Sequence, residues 1–206
     1  MASTESLLNI SFNVSLSKYG GDIAVGAMTI LSSAIQMCTI TAGAISQGAQ
    51  PIISFNFGAR KFERVRKAVK LMLITNTTYT TIFFISAQLF APSFVRIFSS
   101  DPELMELTTW ALRIYLGGTF MMGIQNGCQN SFLALGQAKI SLFLACLRKL
   151  ILLIPLIYIL PMFFEDKLFA VFLAEPVSDI LAATCTLTAF LIMFPKILKN
   201  AGEVRS

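Results

Sequence analysis

The chain contains no histidine, and charged residues occupy only 13% of its 206 positions. The first absence rules out His-ligated zinc and Ser–His catalysis. The second argues against an ordinary water-soluble domain, in which about a quarter of residues are charged. Cysteine is sparse. Cys38, Cys128, Cys146 and Cys185 are scattered through apolar stretches without metal-ligand spacing. They read as small, reduced, apolar residues and not as a disulfide framework or a metal site. No nucleophile motif and no phosphate-binding loop is present, so no enzyme is expected. Internal repeats of roughly 20–50 residues and Gly/Ser-rich or charged linkers are also missing, and residues 1–206 are expected to form a single membrane domain. Met1 to Ser6 holds Glu5 and no Lys or Arg, unlike the basic start of a cleaved signal peptide.

Apolar residues take the place of what is missing: 55% of the chain is hydrophobic, with a mean hydropathy of +0.73. From Ile23 to Ala59, Leu71 to Val95 and Ile114 to Ala138 there is no Asp, Glu, Lys or Arg. A membrane-crossing helix needs roughly 20 predominantly apolar residues, and each run supplies them. The expected fold is all-α: a polytopic membrane helix bundle of six transmembrane helices near 3–17, 22–49, 66–91, 104–135, 138–162 and 168–194. The second is expected to end at Pro51, which lacks the amide hydrogen, with Ile52 to Phe57 as a short interfacial piece. Three N-x-[S/T] tripeptides, at Asn9, Asn13 and Asn76, fall within these helices and read as chance matches to a glycosylation signal.

Charge placement sets an expected orientation. Arg60, Lys61, Arg64, Arg66, Lys67 and Lys70 crowd the connection between the second and third helices. Lys139 lies two connections further on, and Lys196, Lys199 and Arg205 follow the sixth helix. The opposite loops hold Lys18, Arg96 and Lys167 together with Asp22, Asp101, Glu103, Glu106, Glu165 and Asp166. The positive-inside rule places the first set, and the carboxy terminus, in the cytoplasm. The basic run at 60–70 reads as an anchor against anionic membrane lipid and not as a nucleic-acid patch.

Several of the helices are more polar than an anchor requires. The third carries Thr75-Asn76-Thr77-Thr78-Tyr79-Thr80-Thr81, the second Ser32, Ser33, Gln36, Thr39 and Thr41, and the fourth Gln125, Asn126, Gln129, Asn130 and Ser131. Most of the Ser and Thr are expected to bridge helices, at about 0.6–2 kcal/mol each. The amides, one and four residues apart, form a stripe suited to the wall of a water-accessible cavity. Gln36, Thr78, Asn126 and Asn130 are the candidate substrate-path residues. Ionisable residues also fall within the spans: Arg113, Arg148, Lys149, Glu175 and Asp179. Each costs at least ~2.5–3.5 kcal/mol in hydrocarbon, so each is expected to face the bundle interior. Glu175 and Asp179 share a helix face, with Pro176 loosening the turn between them. Two readings stay open for them: a structural ion pair with Arg113, Arg148 or Lys149, or a pair that takes up and releases a proton or cation. Phe83, Phe84, Phe120, Met121, Met122, Phe132 and Phe143 lie among the polar groups, where Met and Phe can wall a site for bulky apolar cations.

The order of motifs resembles the second half of multidrug and toxin extrusion transporters. It runs from Tyr19-Gly20-Gly21-Asp22 through Gly43-Ala44-Ile45-Ser46-Gln47-Gly48-Ala49-Gln50-Pro51 and Phe55-Asn56-Phe57-Gly58-Ala59 into the basic loop. It continues with Ser99-Ser100-Asp101-Pro102-Glu103, Leu135-Gly136-Gln137-Ala138-Lys139, Leu147-Arg148-Lys149, Ile154-Pro155-Leu156 and Glu175-Pro176-Val177-Ser178-Asp179. The resemblance implies helices seven to twelve of a twelve-helix transporter, with Met1 falling inside or just before the seventh. It implies exchange of H+ or Na+ for cationic or amphipathic drugs across the plasma (inner) membrane, without a further cofactor. A missing amino-terminal half, or a second copy, would complete the cleft. Two departures from the family are visible: Trp110 to Leu135 holds no Asp or Glu, and Lys149 stands where glutamine is usual. The alternatives are a non-transporting fragment with an assembly role and half of a lipid-linked sugar flippase.

Overall fold

The computed structural model of the chain describes residues 2–203, with the side chains of 6–202. Met1, Arg205 and the side chain of Glu5 lie outside the described residues. Among those described there is no strand; helices α1 (Ala2–Gly58), α2 (Phe62–Leu89), α3 (Ala91–Arg96), α4 (Pro102–Tyr115), α5 (Thr119–Ala134), α6 (Ala138–Cys146), α7 (Ile154–Phe163) and α8 (Lys167–Glu203) account for nearly all of the chain. They pack into one bundle, in which α4 and α5 follow each other directly through a 3-10 turn and α6 and α7 through a π turn. Large apolar side chains such as Ile82, Phe143 and Leu191 are exposed on its outer surface. Water would penalise that surface and hydrocarbon would not, as befits a membrane bundle.

Each expected span falls in a helical stretch, but the breaks lie elsewhere. Within α1, Gly21 adopts φ +63° and ψ −159°, a conformation that only glycine enters cheaply. It divides α1 into arms covering 2–20 and 22–58. Pro51 does not end the second arm, which continues to Gly58. The expected interfacial piece is helical because Ile53 is fully buried in the core at that end. Ser54 Oγ also donates to the Ala134 carbonyl at 2.9 Å. α2 likewise begins at Phe62 and not 66, so most of the basic run lies on its first turns. α4 starts on a capping turn: Asp101 accepts from the Glu103 amide at 3.0 Å and Pro102 occupies the first helical position, where its missing N–H costs nothing. α8 runs past the expected end at 194, through Pro195, to Glu203.

Two separate hydrophobic cores hold the bundle. One, at the end away from the basic run, gathers Leu16, Leu31, Val95, Leu112, Leu116, Ile157 and Phe172. The other, at the basic end, gathers Ile53, Val65, Val69, Phe132, Leu144, Phe190 and Leu198. Between them lies a polar middle layer. There the helices depart from regular geometry: a 3-10 turn, Leu116–Gly118, joins α4 to α5, and a π turn, Leu147–Leu153, joins α6 to α7. Pro176 interrupts the hydrogen bonding of α8 at the same level.

Candidate functional site

The middle layer is built around Arg148. The π turn that carries it inserts an extra residue per turn, which re-aims side chains and leaves backbone groups in need of partners. Ser178 Oγ of α8 meets one of these needs, donating to the Arg148 carbonyl at 3.1 Å. The guanidinium points at α8, where Nε donates to Asp179 Oδ1 at 2.6 Å and a terminal nitrogen donates to Glu175 Oε1 at 3.0 Å. That terminal nitrogen also lies 2.6 Å from Asp179 Oδ1. Both carboxylates are one helical turn apart on a single face and buried, with the Asp179 side chain 0% exposed and that of Arg148 16%. Asp179 Oδ2, equally buried, has no hydrogen-bond partner.

The approach of the 3-10 turn closes the trio from the α4–α5 side. A Cβ at Gly118 would lie 2.8 Å from Asp179 Cβ, 2.9 Å from Pro176 Cα and 3.0 Å from the Pro176 carbonyl oxygen. Glycine is therefore required there. Sequence reasoning passed over Gly117-Gly118, although a glycine pair inside an apolar helix signals close backbone approach.

Two adjoining cavities border Arg148, and the larger also reaches Glu175; Asp179 lies behind them and lines neither. The larger, about 450 Å³, is lined by Ser32, Gln36 and Thr39 of α1, by Tyr115 and Met122, and by Arg148, Lys149 and Glu175. The smaller, about 260 Å³, is lined by Cys38, Thr80, Gln125, Asn126 and Gln129 and shares Thr39, Met122, Arg148 and Lys149 with the first. Spaced four and three apart, Ser32, Gln36 and Thr39 form one polar face of α1. Gln36 and Asn126 thus stand at the cavities. Asn130 does not reach them; its amide donates to the Asn126 carbonyl at 2.9 Å and to the Asn126 side chain, fixing that side chain's direction.

Besides Asn130, two expected placements are corrected. Thr78 is exposed on the outer face of α2, and the cavity position belongs to Thr80, whose Oγ1 lies 3.3 Å from the Phe120 carbonyl. Arg113 does not face the interior. The buried face of α4 is Thr108, Ala111, Leu112 and Tyr115, and Arg113 lies off it in an open hollow with Glu106, Thr109 and Trp110. Of the Met and Phe cluster, Met122 lines both cavities, Phe83 packs against the core away from the basic end, Phe132 is buried in the core at the basic end, and Phe143 is 61% exposed. Asn76 is buried and donates to Ser46 Oγ at 2.6 Å, a helix-to-helix bridge.

The fold and the site define a polytopic membrane protein with a charged layer, bordered by two cavities, between two apolar cores. The family model MatE matches residues 1–159, and the chain belongs to that family, one of transporters and not of enzymes. The multidrug export protein MepA of Staphylococcus haemolyticus (strain JCSC1435) is 23% identical over 172 residues, 82% of this chain and 37% of its own. MepA of Staphylococcus aureus (strain MSSA476) is 23% identical over 184 residues, 88% of this chain and 39% of its own. The chain thus spans well under half the length of these relatives. Among solved structures, a MATE transporter in a bent conformation superposes with a TM-score of 0.90 at 16% identity, over 98% of this chain and 44% of that one. The MATE multidrug transporter DinF-BH superposes with a TM-score of 0.79 at 30% identity, over 95% of this chain and 43% of that one.

Proposed function

We propose that the chain works as the carboxy-terminal six-helix unit of an ion-coupled multidrug antiporter that exports organic cations across the plasma membrane. On this reading the basic run at 60–70 and the end of α8 face the cytoplasm, and a second six-helix unit supplies the opposite wall of the cleft. The MepA likeness and the extent of the structural superpositions support it.

The observation that carries the coupling is the buried Arg148–Glu175–Asp179 trio, of which Arg148 and Glu175 line the larger cavity. One guanidinium cannot neutralise two buried carboxylates, and an uncompensated charge in a low-dielectric site is costly. The balance falls either to Lys149 on the same cavities or to an incoming H+ or Na+. Uptake of the ion makes the cavity wall more positive, which disfavours a cationic substrate there. Loss of the ion reverses the preference. Opposed binding of ion and substrate at one wall is what an exchanger requires.

Dye efflux from a pump-deficient bacterium tests this, with Asp179→Asn and Glu175→Gln beside the parent chain, each expressed alone and with an amino-terminal six-helix partner. The expected result is efflux from the parent and its loss in Asp179→Asn. Equal efflux from both removes Asp179 from the mechanism. Absence of efflux under every condition favours an assembly role for a non-transporting unit.

A further inference from the structure

The smaller of the two cavities that border Arg148 differs from the larger in the charges that line it. Arg148 and Lys149 belong to its wall and no carboxylate does, since Glu175 reaches only the larger cavity and Asp179 neither. Arg148 engages α8 through Nε and one terminal nitrogen. The other terminal nitrogen of the guanidinium, with two further N–H donors, takes no part in those contacts. The trio and Lys149 together carry no net formal charge, but only the basic members line the smaller cavity. Coulomb attraction falls with distance, so a negative group placed there gains more from the near cations than it loses to the acids behind them.

α5 adds a second, independent observation. Gln125 lines the same cavity and is only 4% exposed, yet its side-chain amide has no hydrogen-bond partner among the described residues. A buried amide without a protein partner requires another group to bond to. Its neighbour Asn126 accepts through Oδ1 from Asn130, which commits the carbonyl end and leaves the NH2 end as a donor for the cavity. Ala42, Met122 and Ala145 make up the apolar remainder of the wall. The space is about 260 Å³, more than the ~150 Å³ of an apolar cavity that takes up benzene. One ring and one small polar group fit.

We propose that the smaller cavity binds a small organic carboxylate, its anionic end held by Lys149, the open edge of Arg148 and the amides of Gln125 and Asn126, and its apolar body against Met122. Charged and amide donors converging from neighbouring helices suit the several acceptor sites of one carboxylate. A cation is repelled there for the same reason, so the acid is a second ligand beside the exported cation. Its role, filling this wall once the cation has left, rests on the transport reading; its binding does not.

Equilibrium dialysis of radiolabelled benzoate against the full chain in nonionic detergent measures that binding, with benzamide as the uncharged molecule of the same shape. Saturable benzoate binding is expected, with benzamide about tenfold weaker because it lacks the charge-assisted bonds. Lys149→Gln is expected to weaken benzoate about tenfold, the effect of losing one hydrogen bond to a charged group, and Lys149→Arg to retain most of the affinity. Gln125→Leu is expected to weaken it about fivefold, as loss of a neutral hydrogen bond does, and Thr78→Val, on the outer face, to leave it unchanged. Should Lys149→Gln fail to fold, Gln125→Leu decides. No saturable benzoate binding at millimolar concentration, equal binding of benzamide, or unchanged affinity in Lys149→Gln and Gln125→Leu overturns the site. Efflux plays no part in this measurement, so a chain that exports nothing can still bind benzoate, and one that exports dye can still fail to.

Discussion

Replacing Arg148 with methionine keeps much of the side chain's bulk while removing the charge that Glu175 and Asp179 share. Three N–O contacts of 2.6 to 3.0 Å disappear at once. Two carboxylates, with side chains only 7% and 0% exposed, are left facing each other across one turn of α8. Breaking a buried ion pair from one side costs about 3–5 kcal/mol, because the stranded charge outweighs the lost attraction. For a chain of this size, 1 kcal/mol corresponds to ~2–4 °C in melting temperature, so Arg148→Met is expected to melt roughly 6–20 °C below the parent. The triple change Arg148→Met, Glu175→Gln, Asp179→Asn removes the stranded charges and is expected to recover most of that loss, since a neutral layer of similar volume is often as stable as an ion pair. Thermal unfolding of the purified protein in detergent, followed by tryptophan fluorescence and circular dichroism, measures both. Additive losses in the three single variants, with no recovery in the triple, would refute the account, because groups acting as one network must show coupling. So would an Arg148→Met protein that melts with the parent.

Gly118→Ala is expected to destabilise by about 1–3 kcal/mol through overpacking against Pro176 and Asp179. Gly48→Ala, where no atom lies within 4 Å of the added Cβ, is expected to gain roughly 0.5–1 kcal/mol from helix propensity; thermal unfolding compares the two. Thr80→Val removes the link from α2 to the Phe120 carbonyl and is expected to cost about 0.6 kcal/mol. Thr78→Val, on the outer face, is expected to leave both melting and dye efflux unchanged. Arg113→Gln is expected to shift stability by no more than ~0.5 kcal/mol, as an exposed position does, and the same melting assay checks it.

The helices were legible because a long apolar run free of charge has few other uses. Glu175 and Asp179 could be placed on one face from their spacing, and their pairing with Arg148 was one of the two readings left open. Which residue of a homogeneous polar tract faces inward was not legible. Thr75, Thr77, Thr78, Thr80 and Thr81 between them surround the helix, and its phase follows from the buried stripe Val65, Val69, Met72, Asn76 and Thr80, with Gly123 packed against the last two. Arg113 misled for a related reason. Presence in a span says nothing about facing, and α4 turns its 108–111–112–115 stripe inward instead. Pro51 misled because its local cost is real, yet the burial of Ile53 just beyond it outweighs that cost. The π turn left no trace in Leu147–Leu153, whose composition suits an ordinary helix.

The division of the interior into two apolar cores has a mechanical consequence. Each core ties together helices from across the bundle at its own end, so each end resists deformation as a close-packed solid does. The layer between them is thinner in hydrocarbon contacts and contains a 3-10 turn, a π turn and a mid-helix proline. A bending load on the bundle would therefore concentrate its strain in that waist, and tilting one end against the other would stretch or compress the spacing between Arg148 and its two carboxylates before it disturbed either core. The same few ångströms would then serve as both charge site and flexure.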